Sequence, residues 1–293
     1  MSVVVKGLGE SEKVMIDGAY VRNKLNLMSA ITDFELPSLP YNFLEGHIIV
    51  FNDELHIFGG ADTSNHRSHY KLVENGWEKL GNLPYDFYDG GVVVFNGEIH
   101  ILGGGASGAD RKHYAFDGST WRSVSTLPVT FSYGQIVIFR NEINILGNLS
   151  DKQHYAFDGT NWRKVSDSPI SGLCSTAVVL NDNIHILGGT NAPTGYYKWD
   201  GSSWVSVSTL PYSYDYGYSI VLDDSIHILG GTQGPKNHYK LNGTTWEKLR
   251  DLPFNFIRGC AYIENNRICI LGSTNSDDGK KHYTLNEKYY REV

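Results

Sequence analysis

The chain writes one pattern six times at a nearly constant beat, and this limits its fold more than any single residue does. Gly59-Gly60 recurs as Gly103-Gly104, as Leu146-Gly147 without the second glycine, then as Gly188-Gly189, Gly230-Gly231 and Gly272-Ser273. Successive first glycines lie 44, 44, 41, 42 and 42 residues apart. A second series keeps step: Leu39-Pro40, Leu83-Pro84, Leu127-Pro128, Ser168-Pro169, Leu210-Pro211 and Leu252-Pro253. A third sets a tyrosine seven positions before a tryptophan: Tyr70/Trp77, Tyr114/Trp121, Tyr155/Trp162, Tyr197/Trp204 and Tyr239/Trp246, with Tyr290 replacing tryptophan after Tyr283. A fixed period of this length marks a solenoid, a propeller or an array.

The content of one period chooses among these. Gly91 to Phe95 is a short apolar run, and Asn96-Gly97 is a hairpin turn whose residues tolerate positive φ. Glu98 to Leu102 forms the next run, ending at the diglycine. After a polar loop come His113 to Phe116, the turn Asp117-Gly118, and Trp121 to Val124. These are four short strands, rich in β-branched and aromatic residues and separated by turn dipeptides. No stretch has the apolar spacing of a long helix. Four strands per period and six periods predict an all-β fold, a six-bladed β-propeller of four-stranded antiparallel blades.

The diglycine closing the second strand, with the spaced Tyr and Trp behind it, resembles the Kelch motif over residues 40–293. The resemblance implies a Kelch-type propeller of the galactose oxidase/Kelch-like superfamily. Many such propellers are protein-interaction adaptors. Some are enzymes, including a copper radical oxidase and a sialic acid mutarotase. The copper chemistry needs a Tyr/Cys/His constellation that these residues do not assemble, and no cofactor or metal is expected.

Residues 1–31 read as an N-terminal extension, and 32–293 as the propeller, with blades at 41–83, 85–127, 129–168, 170–210, 212–252 and 254–293. In the extension, Val3 to Lys6, Lys13 to Ile16 and Ala19 to Val21 suggest short strands around the turn Asp17-Gly18, a hairpin that could attach the propeller to a larger assembly. With the LPYxF-type wording of the repeats, this resembles tail or surface-associated proteins of bacteriophages and gut bacteria. For ring closure, a C-terminal strand at Tyr290 to Val293 is favoured, with Phe34 to Leu36 beside it or outside. Lys6, Glu10, Glu12 and Lys13 stand where a signal peptide needs an apolar core, so a cytoplasmic or virion-associated location is expected. The net charge of −7, without a long basic run, argues against nucleic acid and anionic membrane as partners. No apolar run is long enough to span a bilayer.

Most eye-catching residues are explained by the repeat. His56, His100, His185 and His227 share one strand position, and Cys269 fills it in the last blade. His69, His113, His154, His238 and His282 each precede the repeated tyrosine. Residues about a blade apart cannot converge on a metal. These histidines are expected to hydrogen-bond across blade interfaces, since buried polar groups demand partners. His47 and His66 fall outside the pattern. The three cysteines, Cys174, Cys260 and Cys269, show no paired spacing and read as buried free thiols.

Function therefore belongs where the copies differ. In a four-stranded antiparallel blade, the second-to-third loops and the blade-to-blade connections share one face, opposite the stereotyped hairpins. Counted from each proline, the third position (Phe43, Phe87, Phe131, Gly172, Tyr214, Phe256) and the sixth (Gly46, Gly90, Gly134, Ser175, Gly217, Gly259) are nearly constant, and so structural. The fifth varies as Glu45, Asp89, Tyr133, Cys174, Tyr216 and Arg258; the fourth varies as Leu44, Tyr88, Ser132, Leu173, Asp215 and Ile257. Both columns are expected at the mouth of the central channel, flanked by loop residues such as Asp62, His66, Arg67, Asp110 and Arg111. The candidate ligand-binding residues are Glu45, Tyr88, Asp89, Tyr133, Asp215, Tyr216 and Arg258. Tyrosine offers a stacking face and a hydroxyl at low ordering cost. The leading expectation is a non-catalytic module that binds a glycan or a protein surface. The alternatives are an intracellular adaptor and a mutarotase-like sugar enzyme with Glu45 or Asp89 working beside Arg258; burial of an ion pair at the mouth, with a raised carboxylate pKa, would favour the enzyme.

Overall fold

A computed structural model describes residues 14–16, 19–21, 34–74, 76–148, 151–274 and 277–285. Among the described residues, six four-stranded antiparallel sheets account for all strands except one two-stranded hairpin, Val14–Ile16 with Ala19–Val21. The innermost strands are His47–Phe51, Gly91–Phe95, Gln135–Phe139, Thr176–Leu180, Tyr218–Leu222 and Cys260–Glu264. Each neighbours the next, and the sixth neighbours the first, so the ring closes as a six-bladed propeller. Among the described residues, no helix is long and apolar enough to cross a membrane.

The second blade shows how the sequence builds each sheet. Gly91–Phe95 and Glu98–Leu102 pair from Gly91↔Leu102 to Phe95↔Glu98. The turn between them holds Asn96 and Gly97 at φ 50° and 77°, the left-handed conformation of a tight hairpin. Lys112–Phe116 pairs with the second strand, and Trp121–Thr126 forms the outer edge after a register shift at His113/Tyr114. Both faces of a blade are covered by neighbouring blades, so the second strand is buried continuously: Ile99, Ile101 and Leu102 are all inaccessible. The outer strand faces solvent, and none of its residues is buried.

The repeated glycine is required by the blade interface. Gly59 sits at φ +54°, and a Cβ there would lie 1.9 Å from the carbonyl oxygen of Phe87 in the next blade. The following amide, of Gly60, donates to that carbonyl at 3.1 Å; Gly104, Gly189 and Gly231 do the same toward Phe131, Tyr214 and Phe256. The third-position aromatic in turn lies across the sixth-position glycine: a Cβ at Gly90 would meet the Phe87 ring at 2.4 Å. Blade 4 departs at both positions together. With Gly172 in place of the aromatic, Ser175 can replace the glycine, and its hydroxyl donates to the Gly172 carbonyl at 3.0 Å.

The histidines hydrogen-bond inside blades, not between them, which corrects the expectation. His56 Nδ1 shares a hydrogen bond with His69 Nε2 at 2.9 Å, and His100 with His113 and His227 with His238 at 2.8 and 2.9 Å. The two positions are diagonal neighbours on adjacent strands of one sheet: His56 stands opposite Lys71 and His69 opposite Phe58, and His100 stands opposite Ala115 and His113 opposite Leu102. In blade 3, Asn144 stands in the first position and accepts from His154 at 2.8 Å. What crosses the interface is ring packing: His69 meets Phe116 and Trp121 of the next blade edge-on, and His113 meets Phe157 and Trp162. Burial holds these imidazoles below their ordinary value, His100 and His227 at about 4.

The ring is closed from the N-terminal side. Phe34–Glu35 takes the outermost place of the sixth blade, pairing with His282–Thr284, and Leu36 donates to the His282 carbonyl at 2.8 Å. In blades 3 and 4 the repeat tryptophan donates to the outer strand of the preceding blade, Trp162 to Ser125 and Trp204 to Ser166. Trp77 makes the equivalent bond to the carbonyl of Pro37, so the segment after Glu35 fills that role for blade 1. The favoured C-terminal strand at Tyr290 to Val293 lies outside the described residues; the slot beside His282–Thr284 belongs to Phe34–Glu35.

Candidate ligand-binding site at the channel mouth

Each blade-to-blade connection ends in a sharp turn just before the innermost strand. The residue at that turn is the fifth-position residue, and all six adopt left-handed backbone: Glu45, Asp89, Tyr133, Cys174, Tyr216 and Arg258 have φ between 53° and 59°. Only glycine takes this conformation freely, and bulky residues rarely do. Backbone hydrogen bonds join four of the six neighbouring pairs of turns. The amide of Asp89 donates to Glu45, Tyr133 to Asp89, Tyr216 to Cys174 and Arg258 to Tyr216, each reaching the equivalent carbonyl of the preceding blade at 2.8–3.3 Å. The innermost strands thus set six side chains around one axis.

All six line a cavity of about 230 Å³, whose wall continues with His47, Gln135, Thr176, Tyr218, Ser219 and Cys260. Five expected site residues are therefore brought together: Glu45, Asp89, Tyr133, Tyr216 and Arg258. Tyr88 and Asp215 are not in the lining. Tyr88 packs against the His66 ring at 4.8 Å, and Asp215 accepts from the Thr232 hydroxyl. Tyr88 thus meets the second-to-third loop of the preceding blade, and Asp215 that of its own. The flanking cations also serve the scaffold: Arg67 and Arg111 donate to the carbonyls of Leu83 and Leu127.

Cys174 lines the cavity and is only half-buried, whereas it was expected as a buried thiol. Membership of the fifth column was the signal that could have found it. Cys260 and Cys269 are buried; Cys269 Sγ and the Thr284 hydroxyl share a contact at 3.3 Å. The Tyr212 to Tyr218 run divides by position. Tyr212 donates to the Gly230 carbonyl at 2.6 Å, Tyr214 is wholly buried, and Tyr216 and Tyr218 reach the cavity.

The lining is electrostatically organised. Arg258 forms an ion pair with Glu45, with the two side chains 29% and 12% exposed, and its guanidinium stacks on the Tyr216 ring at 3.9 Å. The Tyr216 hydroxyl interacts with the Cys174 thiol, which, with burial, raises the phenol above its ordinary value. On the other side of the mouth, the Tyr133 hydroxyl is within hydrogen-bonding reach of the Asp89 carboxyl. Asp89 Oδ2 is buried and has no hydrogen-bond partner. Burial pushes the Asp89 carboxyl up to about 6, the Tyr133 contact opposing it only in part. The His47 ring, withdrawn from water, is held at about 4 and is neutral at pH 7. Among the described residues, no group of three or more His, Cys, Asp or Glu side chains is placed to hold a metal ion.

No family model matches this chain, and no curated protein matches it. Among solved structures, that of YjhT superposes with a TM-score of 0.72 at 16% identity, covering 85% of this chain and 95% of that one. A likeness at this identity speaks for the shared propeller fold and for nothing finer.

Proposed function

We propose that the chain is a non-catalytic binding module that takes a small polar ligand with flat faces, a single sugar ring, into the channel mouth. The carrying observation is the ring of strained turns. Non-glycine residues in this backbone conformation cost of order 1–3 kcal/mol each and collect where function demands them. Here six in a row point acids, phenols, a thiol and a guanidinium into one cavity. The tyrosine faces suit stacking, and the carboxylates suit hydroxyl donors. The cavity is smaller than the roughly 300–1,000 Å³ of drug-sized pockets, which favours one ring over an oligosaccharide or a flat protein surface. The Kelch-like wording of the repeats supports the adaptor reading instead, with a protein partner on the loop-rich face and the Val14–Ile16/Ala19–Val21 hairpin as a route of attachment to a larger, phage-tail-like assembly.

One observation favours a second reading, a sugar-active enzyme. A carboxyl lifted to about 6 in the same cavity as a half-buried ion pair is the arrangement of a general acid–base site. A glycan array comparing wild type with Tyr216→Ala and Asp89→Ala tests the binding reading; signals lost in both variants support it. Silence from the array together with a captured protein partner would move the adaptor ahead. Exchange of sugar anomers followed by NMR, abolished in Asp89→Ala, would move the enzyme ahead.

A further inference from the structure

The charges around the mouth are unequally matched, and this bears on which sugar fits. Arg258 is the only Lys or Arg in the lining among the described residues, and Glu45 already neutralises it. Its guanidinium plane is also occupied by the Tyr216 ring. The other lining carboxylate, Asp89, has no cation. Tyr133 is its one side-chain neighbour in hydrogen-bonding reach, and Oδ2 is buried without a donor. The remaining groups that face Asp89 are a phenol and a thiol, Tyr216 and Cys174, and His47 in the wall is neutral. A carboxylated ligand would find its cation engaged and a second carboxylate facing it. A ligand bringing a hydroxyl or an ammonium group would offer a donor, and in the second case a countercharge, to the Asp89 carboxyl where it lines the cavity.

Resting on the sugar-site reading above, we infer that the mouth selects neutral and, above them, amine-bearing monosaccharides and rejects carboxylated ones, with Asp89 as the specificity-determining acceptor and Glu45 as the residue that keeps Arg258 from binding acids. A buried polar group left unpaired by the wrong ligand is a strong discriminator, and a like-charge contact adds to it.

The test is a calorimetric titration at pH 7 of the full chain with three sugar sets in gluco, galacto and manno configurations: hexoses, 2-amino-2-deoxyhexoses and hexuronates. Wild type is expected to bind at least one amino sugar about tenfold or more tighter than the matching uronate, with the neutral hexose between. Asp89→Asn should bring amino sugar and neutral hexose to within about twofold. Glu45→Gln should free Arg258 and raise uronate affinity above that of the hexose. A cooperative thermal transition in each variant guards against a folding defect. Uronate binding equal to or tighter than amino-sugar binding in wild type would overturn the inference while leaving the sugar site standing; so would an unchanged amine preference in Asp89→Asn. Failure of wild type to bind any of the sugars would overturn the site reading itself.

Discussion

Asp89→Asn should make the protein more stable at neutral pH, and by an amount that depends on pH. The carboxyl sits at about 6 in the folded chain against an ordinary 3.8. Each unit of that gap is worth about 1.4 kcal/mol, so holding Asp89 ionised in the fold costs about 3 kcal/mol well above pH 6. The sign follows from the raised folded value. The stabilising contribution of the protonated carboxyl is full below 3.8 and lost as pH rises through about 6. The amide removes this penalty but buries an NH₂ group where Oδ2 lacked a partner, which costs about 1 kcal/mol. Asparagine also tolerates the left-handed backbone of position 89. The net gain is therefore about 2 kcal/mol at pH 8, and linkage shrinks it by about 1.4 kcal/mol at pH 5. Urea unfolding of both proteins at pH 8 and pH 5 measures the difference directly. A pH-independent offset, or a loss of stability at pH 8, would refute the account of Asp89 as an unsatisfied buried carboxylate. A gain in stability together with loss of sugar binding would mark strain kept for function.

Three further outcomes follow from the scaffold. The buried imidazoles stay neutral in the fold while the unfolded chain protonates them below 6.5, so stability present above 6.5 should fall as pH drops toward about 4. Replacing His100 and His227 by asparagine, which the blade-3 residue Asn144 already models, should flatten that fall by up to about 1.4 kcal/mol per pH unit per site, read from denaturation midpoints between pH 7 and pH 5. Gly59→Ala should cost more than about 3 kcal/mol, because backbone rather than a flexible side chain lies in the way of the new Cβ; a thermal midpoint within a few degrees of wild type would contradict this. Deleting residues 1–30 should leave a cooperative transition, whereas deleting 1–37 should broaden or abolish it by stripping the outer strand of blade 6 and the Trp77 partner.

The number of blades, their strand count and their hairpins were legible in the sequence because repetition averages out local ambiguity. A turn such as Asn96-Gly97 is convincing alone, and six equivalents at one phase are decisive. The same logic separated residues that maintain the ring from those free to vary, and the fifth column proved to be the cavity lining. The fourth column did not. One step along the chain decides which way a side chain points, and the left-handed turn that sets this direction is invisible where the residue is tyrosine, cysteine or arginine instead of glycine. The histidines show the same limit. Their repetition announced a structural role, but only the pairing register makes His56 and His69 diagonal neighbours within one sheet, close enough to share a hydrogen bond.

What the amino-acid order determined by itself is the wheel, since glycine, proline and aromatic spacing act locally and recur. What tertiary structure decided is everything that depends on closure. The strand that completes blade 6 comes from the other end of the chain, where proximity in sequence gives no hint of pairing. The ion pair of Arg258 with Glu45 spans the same seam, joining the last blade to the first. The isolation of Asp89 likewise arises only when six connections are gathered around one axis, because a carboxylate's neighbours and its access to water are set by what folding brings near it.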